Sequence, residues 1–333
     1  MDHTPQGNQM SYLQAGFPPY FTQDFFQSHW QLTQRCNFHC AYCCNEKLRA
    51  QGAHMLPEVM QRGLHLLSEL ARPVYRFSLS GGEVTLYPHL DAMLDAIEAL
   101  FPSGTVVNML SNGSAPSHRM RMLLTRTPKL KCRFIITIHL GQTPVPKLIE
   151  KMLDFSPEER NLWFHLKLVA PPCDARVQET RTQLDAAGVH NYSLNAVVDF
   201  ESGQLADGYT EADFAGLAPP LGKKEYFHYV HSTQTGTQDV SFLEGLRQNL
   251  FHYRGMFCSA GYQSIHLDEY GHVSKGQFCG RMPYTILEKN PFADPAFITP
   301  MRCMEAHCTC TPFTSLPKWG DEAHAPMWLK AGK

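Results

Sequence analysis

The sequence contains no long apolar run and no strong excess of charge of either sign. A helix that crosses a membrane needs about 20 mostly apolar residues in succession, so we expect no membrane span. Only 18% of the residues are charged and the formal net charge is −2, so we expect no surface for nucleic acid. Residues 1–27 do not show the charged and then apolar order of a signal peptide.

Cysteine, in contrast, is frequent, with 11 in the chain. The odd number, the close clustering and the lack of a signal peptide favour metal ligands in a reducing cytoplasm over disulfides in a secreted protein. Cys36, Cys40 and Cys43 follow a predicted strand at a spacing of C-x3-C-x2-C. Three thiolates on so short a loop can bind three irons of one cluster, which leaves the fourth iron open for a small-molecule ligand.

Six predicted strands alternate with helices over the following part of the chain. The strands are His29–Arg35, Val74–Leu79, Thr105–Leu110, Arg133–Ile138, Leu162–Val169 and Tyr192–Val198. The helices are Met55–Ala71, Pro88–Leu100, Pro116–Thr125, Val145–Leu153 and Ala175–Ala187. This alternation is typical of parallel β/α units. Because a full eight-unit barrel needs about 250 residues, we predict an α/β fold with a partial (β/α)6 TIM-like barrel.

The rest of the chain is predicted to surround this barrel. We assign residues 1–27 to an N-terminal tail, 28–200 to the barrel, 201–257 to a connector and 258–333 to a small C-terminal module. The connector is predicted to contain one short helix around Val240–Leu250. In the module, Tyr262–Leu267 and His272–Lys275 flank a loop with a glycine, which predicts a β-hairpin.

The three cysteines, with Tyr42 directly before the third, resemble the signature of the radical S-adenosylmethionine (radical SAM) superfamily. The resemblance implies a [4Fe–4S] cluster on Cys36, Cys40 and Cys43, whose open iron binds SAM, with Tyr42 near the adenine. It implies that the reduced cluster cleaves SAM to a 5′-deoxyadenosyl radical, which takes a hydrogen atom from the substrate. It also implies the partial barrel. The alternative is a zinc site or inert thiols, and a lone three-cysteine loop matches zinc poorly.

Two further motifs end the second and third predicted strands. Gly81, Gly82 and Glu83 resemble the family's Gly-Gly-Glu motif, which offers backbone and carboxylate acceptors to the SAM ammonium group. Ser111 and Asn112 precede a glycine and resemble a family motif that lies near the SAM ribose or carboxylate. Both motifs are also common in turns, which is the alternative reading.

Five more cysteines lie near the C-terminus: Cys258, Cys279, Cys303, Cys308 and Cys310. A cysteine, a hairpin, a cysteine and a later cysteine group resemble the SPASM/twitch domains of radical SAM enzymes, which bind auxiliary [4Fe–4S] clusters. One closed cluster needs four ligands, so one cysteine is spare. Cys303 is favoured as the spare, because Cys308 and Cys310 would share one face of an extended segment. Cys303 in place of Cys308 is nearly as good, and a zinc site that uses His307 is the alternative.

Three candidate catalytic residues, His139, Cys173 and Asp199, each follow the end of a predicted strand. At that end of the strands they could face the substrate as proton or hydrogen-atom partners. A structural role is the alternative for each of them. Cys132 is predicted to be buried among apolar residues, and Cys44 is not expected to be a ligand.

The leading hypothesis is a cytoplasmic radical SAM oxidoreductase with one auxiliary cluster. We expect it to oxidise or epimerise a small molecule of the natural-product type, because 27 residues cannot form a peptide-recognition domain. Flavodoxin or ferredoxin would supply electrons. The alternatives are a radical SAM enzyme that modifies peptides, and an iron–sulfur or zinc protein without catalytic activity.

Overall fold

A parallel β-sheet forms the centre of the molecule. The computed structural model describes residues 25–40, 42–43, 52–199, 204–217, 228–233, 236–248, 250–277, 279–305, 307–308, 316 and 318–319. The six parallel strands are β1 Phe25–Thr33, β2 Val74–Gly81, β3 Val106–Ser111, β4 Lys131–His139, β5 Phe164–Ala170 and β6 Tyr192–Ala196. Each pairs with the next strand in sequence, as the predicted partial barrel requires. β1 begins at Phe25, inside the segment that we assigned to the N-terminal tail.

Helices connect these strands. They are α1 Pro57–Ser68, α2 Leu90–Leu100, α3 Ser117–Thr125, α4 Val145–Leu153, α5 Pro157–Trp163 and α6 Arg176–Ala186. The sequence did not predict α5, although Ser156 and Glu159 form a capping box at its start. Because α5 extends to Trp163, β5 begins at Phe164 and not at the predicted Leu162.

The two faces of the parallel strands differ in polarity. Side chains such as Trp30, Phe77 and Met109 are fully buried and belong to the main hydrophobic cluster, together with residues of the helices. The alternate positions carry polar side chains, for example His29, which is paired in register with Ser78. The concave inner face of the partial barrel is therefore polar, and its outer face is apolar.

Short elements follow β6. β7 Val198–Asp199 pairs with β8 Gln204–Leu205, and α7 spans Glu211–Leu217. β9 His228–Thr233 and β10 Gly236–Ser241 form an antiparallel pair, followed by α8 Phe242–Arg247. α8 lies within the helix predicted around Val240–Leu250, whereas the strand pairs of the connector were not predicted because they show no clear alternation.

The C-terminal part contributes to two sheets. Its elements are β11 Phe257–Cys258, β12 Ser264–Leu267, β13 His272–Gly276, β14 Cys279–Thr285, α9 Pro295–Ile298, β15 Met301–Arg302 and β16 Lys318–Trp319. β12 and β13 form the predicted hairpin, and β14 pairs with β13. β15, β11 and β16 form a separate three-stranded sheet.

The hairpin also extends the barrel sheet, which the sequence did not predict. β12 lies parallel to β1, so that the sheet has nine strands in the order β14-β13-β12-β1-β2-β3-β4-β5-β6. The Gln34 side chain, just after β1, donates hydrogen bonds to Glu269 and, at 3.4 Å, to Tyr270 in the hairpin loop. Within the residues that the structure describes, no helix is both long enough and apolar enough to cross a membrane.

The ends of β1 and β2 approach each other unusually closely. Gly82 N donates to Thr33 O at 2.6 Å, and Glu83 N donates to Arg35 O at 2.8 Å. A Cβ atom on Gly82 would lie 2.1 Å from Arg35 O, and one on Gly81 would lie 2.2 Å from Thr33 O. The two glycines are thus needed to bring β2 against the segment that leads into the cysteine loop.

We expect Gly82→Ala to destabilise the protein by about 1–3 kcal/mol, because the backbone of Arg35 must move. The same movement displaces Cys36, so less iron should remain at the cysteine loop. Gly188→Ala is the control: Gly188 has a φ of +69° but no atom within 4 Å of the added Cβ, so stability should fall without loss of iron. Thermal unfolding and iron analysis measure the two effects. A Gly82→Ala protein with normal iron content would contradict the predicted iron site at the cysteine loop.

Candidate active site at the carboxyl ends of the strands

The loop after β1 carries three cysteines. Cys40 is buried, and Cys36 and Cys43 are half-buried. Cys43 N donates to Cys40 O at 3.1 Å, which closes a turn between the second and third cysteines. Phe38 N donates to Cys36 Sγ at 3.4 Å. Sulfur ligands of iron–sulfur clusters accept hydrogen bonds of this kind. Cys44, which was not expected to be a ligand, lies outside the described residues.

The end of β3 contacts this loop through Asn112. The Asn112 side-chain amide donates to Asn37 Oδ1 at 2.8 Å and lies 3.8 Å from Cys36 Sγ, to which it also donates. Ser114 N donates to Asn112 Oδ1 at 2.9 Å, which fixes the orientation of the amide. Asn112, predicted together with Ser111 to bind SAM, therefore lies directly beside the first cysteine.

Glu83 joins the ends of β2 and β3 from a fully buried position. Its Oε1 accepts hydrogen bonds from Thr85 N at 3.1 Å, Thr85 Oγ1 at 2.6 Å and Ser111 Oγ at 2.8 Å. Its Oε2 accepts from Asn112 N at 2.7 Å. Burial lowers the pKa of Lys151, and the nearby Glu83 carboxylate opposes that shift. In the structure, both carboxylate oxygens are thus engaged by protein donors.

The end of β4 contacts the loop through an aromatic pair. The rings of Tyr42 and His139 stack with centroids 5.7 Å apart, and the Tyr42 hydroxyl lies 3.1 Å from His139 Nδ1. Phe38 meets His139 edge to face at 6.2 Å. Burial lowers the pKa of His139 to about 4, so this ring is neutral at pH 7. Burial also raises the pKa of Tyr42, which stays a neutral phenol.

The other two candidate catalytic residues lie on two different segments, one in the turn after β5 and one in β7. Cys173 is exposed after β5 with a φ of 55°, and its N donates to Asp213 Oδ1 at 2.9 Å. Asp199 is exposed in the short strand β7. Arg176 is a further residue near Tyr42, and its positive charge acts to lower the pKa of the Tyr42 hydroxyl. Arg176 also forms an ion pair with Asp174 at 2.6 Å. The sequence did not indicate that Arg176 lies near Tyr42, because a charged residue in the first turn of a helix is common.

The concave face formed by β4, β5 and β6 is polar and partly open to solvent. Thr137, Lys167 and Ser193 are paired in register across the three strands, and all three are half-buried. In β5, Lys167 lies between two buried leucines, Leu166 and Leu168, on the opposite face. Because Lys167 is half-buried while both leucines are buried, solvent reaches the inner face of the sheet at Lys167. Polar residues at alternate positions of the predicted strands were the available sequence signal.

Four C-terminal cysteines come together. Cys258 is buried in β11, and Cys279, Cys303 and Cys308 are half-buried. Burial raises the pKa of Cys279, and the nearby Cys258, Cys308 and Cys303 raise it further. Burial, together with Cys258 and Cys308, likewise raises the pKa of Cys303. Cys310 lies outside the described residues.

Two buried lysines accompany these cysteines. Lys318 is 5% exposed and is paired in register with Cys258 across β16 and β11. Lys275 is 2% exposed and donates to Thr299 O at 2.9 Å. Burial lowers the pKa of Lys275, whereas Cys258 and Cys279 act to raise it. A buried ammonium group needs nearby negative charge, which metal-bound cysteines supply because they are thiolates.

The alternative to an iron–sulfur group at these cysteines is a single zinc ion. Among the residues described here, no group of three or more His, Cys, Asp or Glu side chains is placed to hold one metal ion. A zinc ion needs its ligands at about 2.0–2.3 Å, whereas a cluster spreads its cysteines over several irons. His307, the alternative zinc ligand, packs against His252 with ring centroids 4.3 Å apart.

A comparison with curated proteins found a relative that matches part of the chain. GTP 3′,8-cyclase of Trichodesmium erythraeum (strain IMS101) is 38% identical over 87 residues, which are 25% of this chain and 26% of that relative. The chain thus matches about a quarter of the length of this curated relative.

Two solved structures share the fold at low sequence identity. The structure of anSMEcpe with bound AdoMet and Cp18Cys peptide is 15% identical, with 82% of each chain covered and a TM-score of 0.52. Streptococcus suis SuiB is 13% identical, with 89% of this chain and 73% of that chain covered and a TM-score of 0.52.

The family model of the radical SAM superfamily matches residues 30–144. This segment contains the cysteine loop, the Gly-Gly-Glu turn and the end of β3, which the structure brings together. Residues 30–144 of the chain therefore carry a radical SAM domain.

Proposed function

We propose that this protein is a radical SAM enzyme that oxidises or epimerises a polar small molecule with the help of an auxiliary [4Fe–4S] cluster. The observation that carries the proposal is the contact between Cys36 Sγ and Asn112, which joins the cysteine loop to the end of β3. Cys36, Cys40 and Cys43 would hold the cluster that binds SAM. When reduced, the cluster would supply the electron that cleaves SAM to the 5′-deoxyadenosyl radical, and this radical would remove a hydrogen atom from the substrate.

Residues around the loop would position it. Glu83 accepts from Ser111 and Asn112, and Asn112 in turn donates to Asn37 and Cys36. A buried acceptor with four hydrogen bonds holds its donors in one geometry, because breaking any of them leaves a polar group unsatisfied. We therefore assign Glu83 the role of fixing the SAM-binding strand ends.

Tyr42 and His139 would define the adenine side of the site. Their stacked rings, with Phe38 at the edge, form an apolar wall at the end of β4. A neutral His139 can exchange hydrogen bonds with the Tyr42 hydroxyl without placing a charge beside the cofactor. This supports a positioning role for His139. Cys173 and Asp199 both stay candidates for contact with the substrate.

The polar row of Thr137, Lys167 and Ser193 would face the substrate. Hydroxyl and ammonium groups at a half-buried inner face suit a polar small molecule with hydroxyl or acidic groups. Oxidation of such a molecule removes one hydrogen atom, and then one electron and one proton. The auxiliary cluster would supply an acceptor for that electron.

We assign the auxiliary cluster to Cys258, Cys279, Cys303 and Cys308. The sequence favoured Cys303 as the spare residue. However, Cys258 and Cys308 are near enough to Cys303 to raise the pKa of its thiol. The protein would act in a reducing cytoplasm, with an electron donor such as flavodoxin or ferredoxin.

One incubation tests the proposal and its alternatives. Anaerobically reconstituted protein, reduced with dithionite, is mixed with SAM and with pools of small metabolites or of peptides. We expect 5′-deoxyadenosine in all mixtures and a new product mass in a metabolite pool. A product only in the peptide pool would favour a peptide-modifying enzyme, and intact SAM throughout would favour a protein without catalytic activity.

The simultaneous change of Cys36, Cys40 and Cys43 to Ala should abolish the formation of 5′-deoxyadenosine. About half of the iron should remain, because the auxiliary cluster keeps its own ligands. Cys132→Ala is the control, since Cys132 is a buried, free cysteine within β4. Chromatography of the nucleoside and iron analysis give the two readouts. Continued SAM cleavage by the triple variant would refute the assignment of the loop.

Single Ala variants of the C-terminal cysteines, made in the triple variant, should identify the auxiliary ligands. Cys258→Ala, Cys279→Ala, Cys303→Ala and Cys308→Ala should each lose or destabilise the remaining iron, because a closed cluster needs four ligands. Cys310→Ala should keep it. Iron analysis and the visible spectrum report the result, and a Cys303→Ala protein with full iron would return Cys303 to the role of spare.

Glu83→Ala should weaken SAM binding by about 1.5–3 kcal/mol, the range for a hydrogen bond to a charged group. The reason is that Ser111 and Asn112 lose their common acceptor. Equilibrium dialysis with labelled SAM measures the dissociation constant. Glu179→Ala, which removes an exposed carboxylate on α6, should leave it unchanged. Equal SAM affinity in the Glu83 variant and the wild type would exclude this role.

A further inference from the structure

Lys318 is a buried lysine beside the C-terminal cysteines. It belongs to β16, and its register partner on β11 is Cys258. Directly opposed residues on neighbouring antiparallel strands point to the same face, with Cβ atoms about 4.5–5.5 Å apart. The Lys318 side chain therefore starts beside the Cys258 thiol.

The end of the side chain is fixed as well. Lys318 Nζ donates to Leu316 O at 3.1 Å and lies 4.4 Å from the centroid of the Tyr253 ring. Only 5% of the residue is exposed. The ammonium group is therefore held by a carbonyl and an aromatic face on a strand position opposite Cys258, and it cannot reach bulk water without breaking these contacts.

Such a position is costly for a positive charge. Transfer of an ammonium group from water to a protein interior costs several kcal/mol unless negative charge is close. A carbonyl and an aromatic face offset part of that cost. Cysteines bound to iron are thiolates, and a group held by four thiolates is anionic in both of its oxidation states. Thiolates bound to iron would supply negative charge beside Lys318 when the site is loaded.

We propose that Lys318 is a positioning residue of this site, whose buried positive charge stabilises an anionic iron–sulfur group and raises its reduction potential. The proposal rests on the assignment of the auxiliary cluster given above. The reduced form carries one electron more than the oxidised form, so a fixed positive charge favours the reduced form more strongly. Lys318 would therefore help the site to accept an electron.

The test uses the full chain in which Cys36, Cys40 and Cys43 are replaced by Ala, so that only the C-terminal site can hold a cluster. The protein is reconstituted with iron and sulfide and titrated with dithionite, and the midpoint potential is followed by electron paramagnetic resonance. Lys318→Met and Lys318→Gln remove the charge, with an apolar and a polar replacement. Lys318→Arg keeps it, and Lys289→Met removes the charge of a lysine with a half-exposed side chain in the same module.

We expect both neutral variants to shift the reduction equilibrium at least tenfold towards the oxidised form, which is about 59 mV for one electron. Lys318→Arg and Lys289→Met should stay close to the parent. A neutral variant that loses its iron while Lys318→Arg retains it would also support the requirement for charge.

Other outcomes would overturn the proposal. An unchanged midpoint in both neutral variants, or an equal shift in Lys289→Met, would remove Lys318 from its role and leave the auxiliary cluster in place. Loss of iron in Lys318→Arg as well as in the neutral variants would show that only packing matters. If the parent itself forms no cluster, the assignment of the auxiliary cluster fails, and the role of Lys318 fails with it.

Discussion

The buried carboxylate of Glu83 is the constraint on which the site depends. A carboxylate removed from water must be satisfied by donors, and here they come from its own turn and from the end of β3. Since Glu83 N is also bonded to Arg35 O, one residue links the ends of three strands. The cysteine loop begins at that point, so its first cysteine takes its position from a polar network and not from apolar packing.

Most of the barrel could be predicted from the sequence because its strands and helices have strong local periodicity. Strand β4 and helix α4 are examples in which apolar spacing and flanking prolines or glycines define the element. The pairing of β12 with β1 could not be predicted, since its partners are far apart in sequence and neither carries a local sign of the other. The strand pairs of the connector were missed because they are short and polar.

The site divides in the same way. Spacing alone predicted Cys36, Cys40 and Cys43 as a group, because residues on one short loop must be close in space. The C-terminal cysteines lie on separate elements: Cys258 is on β11 of the three-stranded sheet, and Cys279 is on β14 of the nine-stranded sheet. Their grouping therefore depends on the tertiary structure. No pattern in the sequence places Lys318 opposite Cys258, since that register is set by the pairing of two-residue strands.

The parallel pairing of β12 with β1 makes the barrel and the C-terminal part inseparable. The predicted boundary at residue 258 cuts through a continuous sheet, since Gln27 to Trp30 are paired with Ser264 to Leu267. A chain shortened at that boundary would expose the backbone edge of the strand that leads into the cysteine loop. Exposed edges pair with other chains, so such a fragment would aggregate instead of acting as a minimal enzyme. Exchange of this C-terminal part between related proteins would have to preserve the β-strand interface as well as the cysteines.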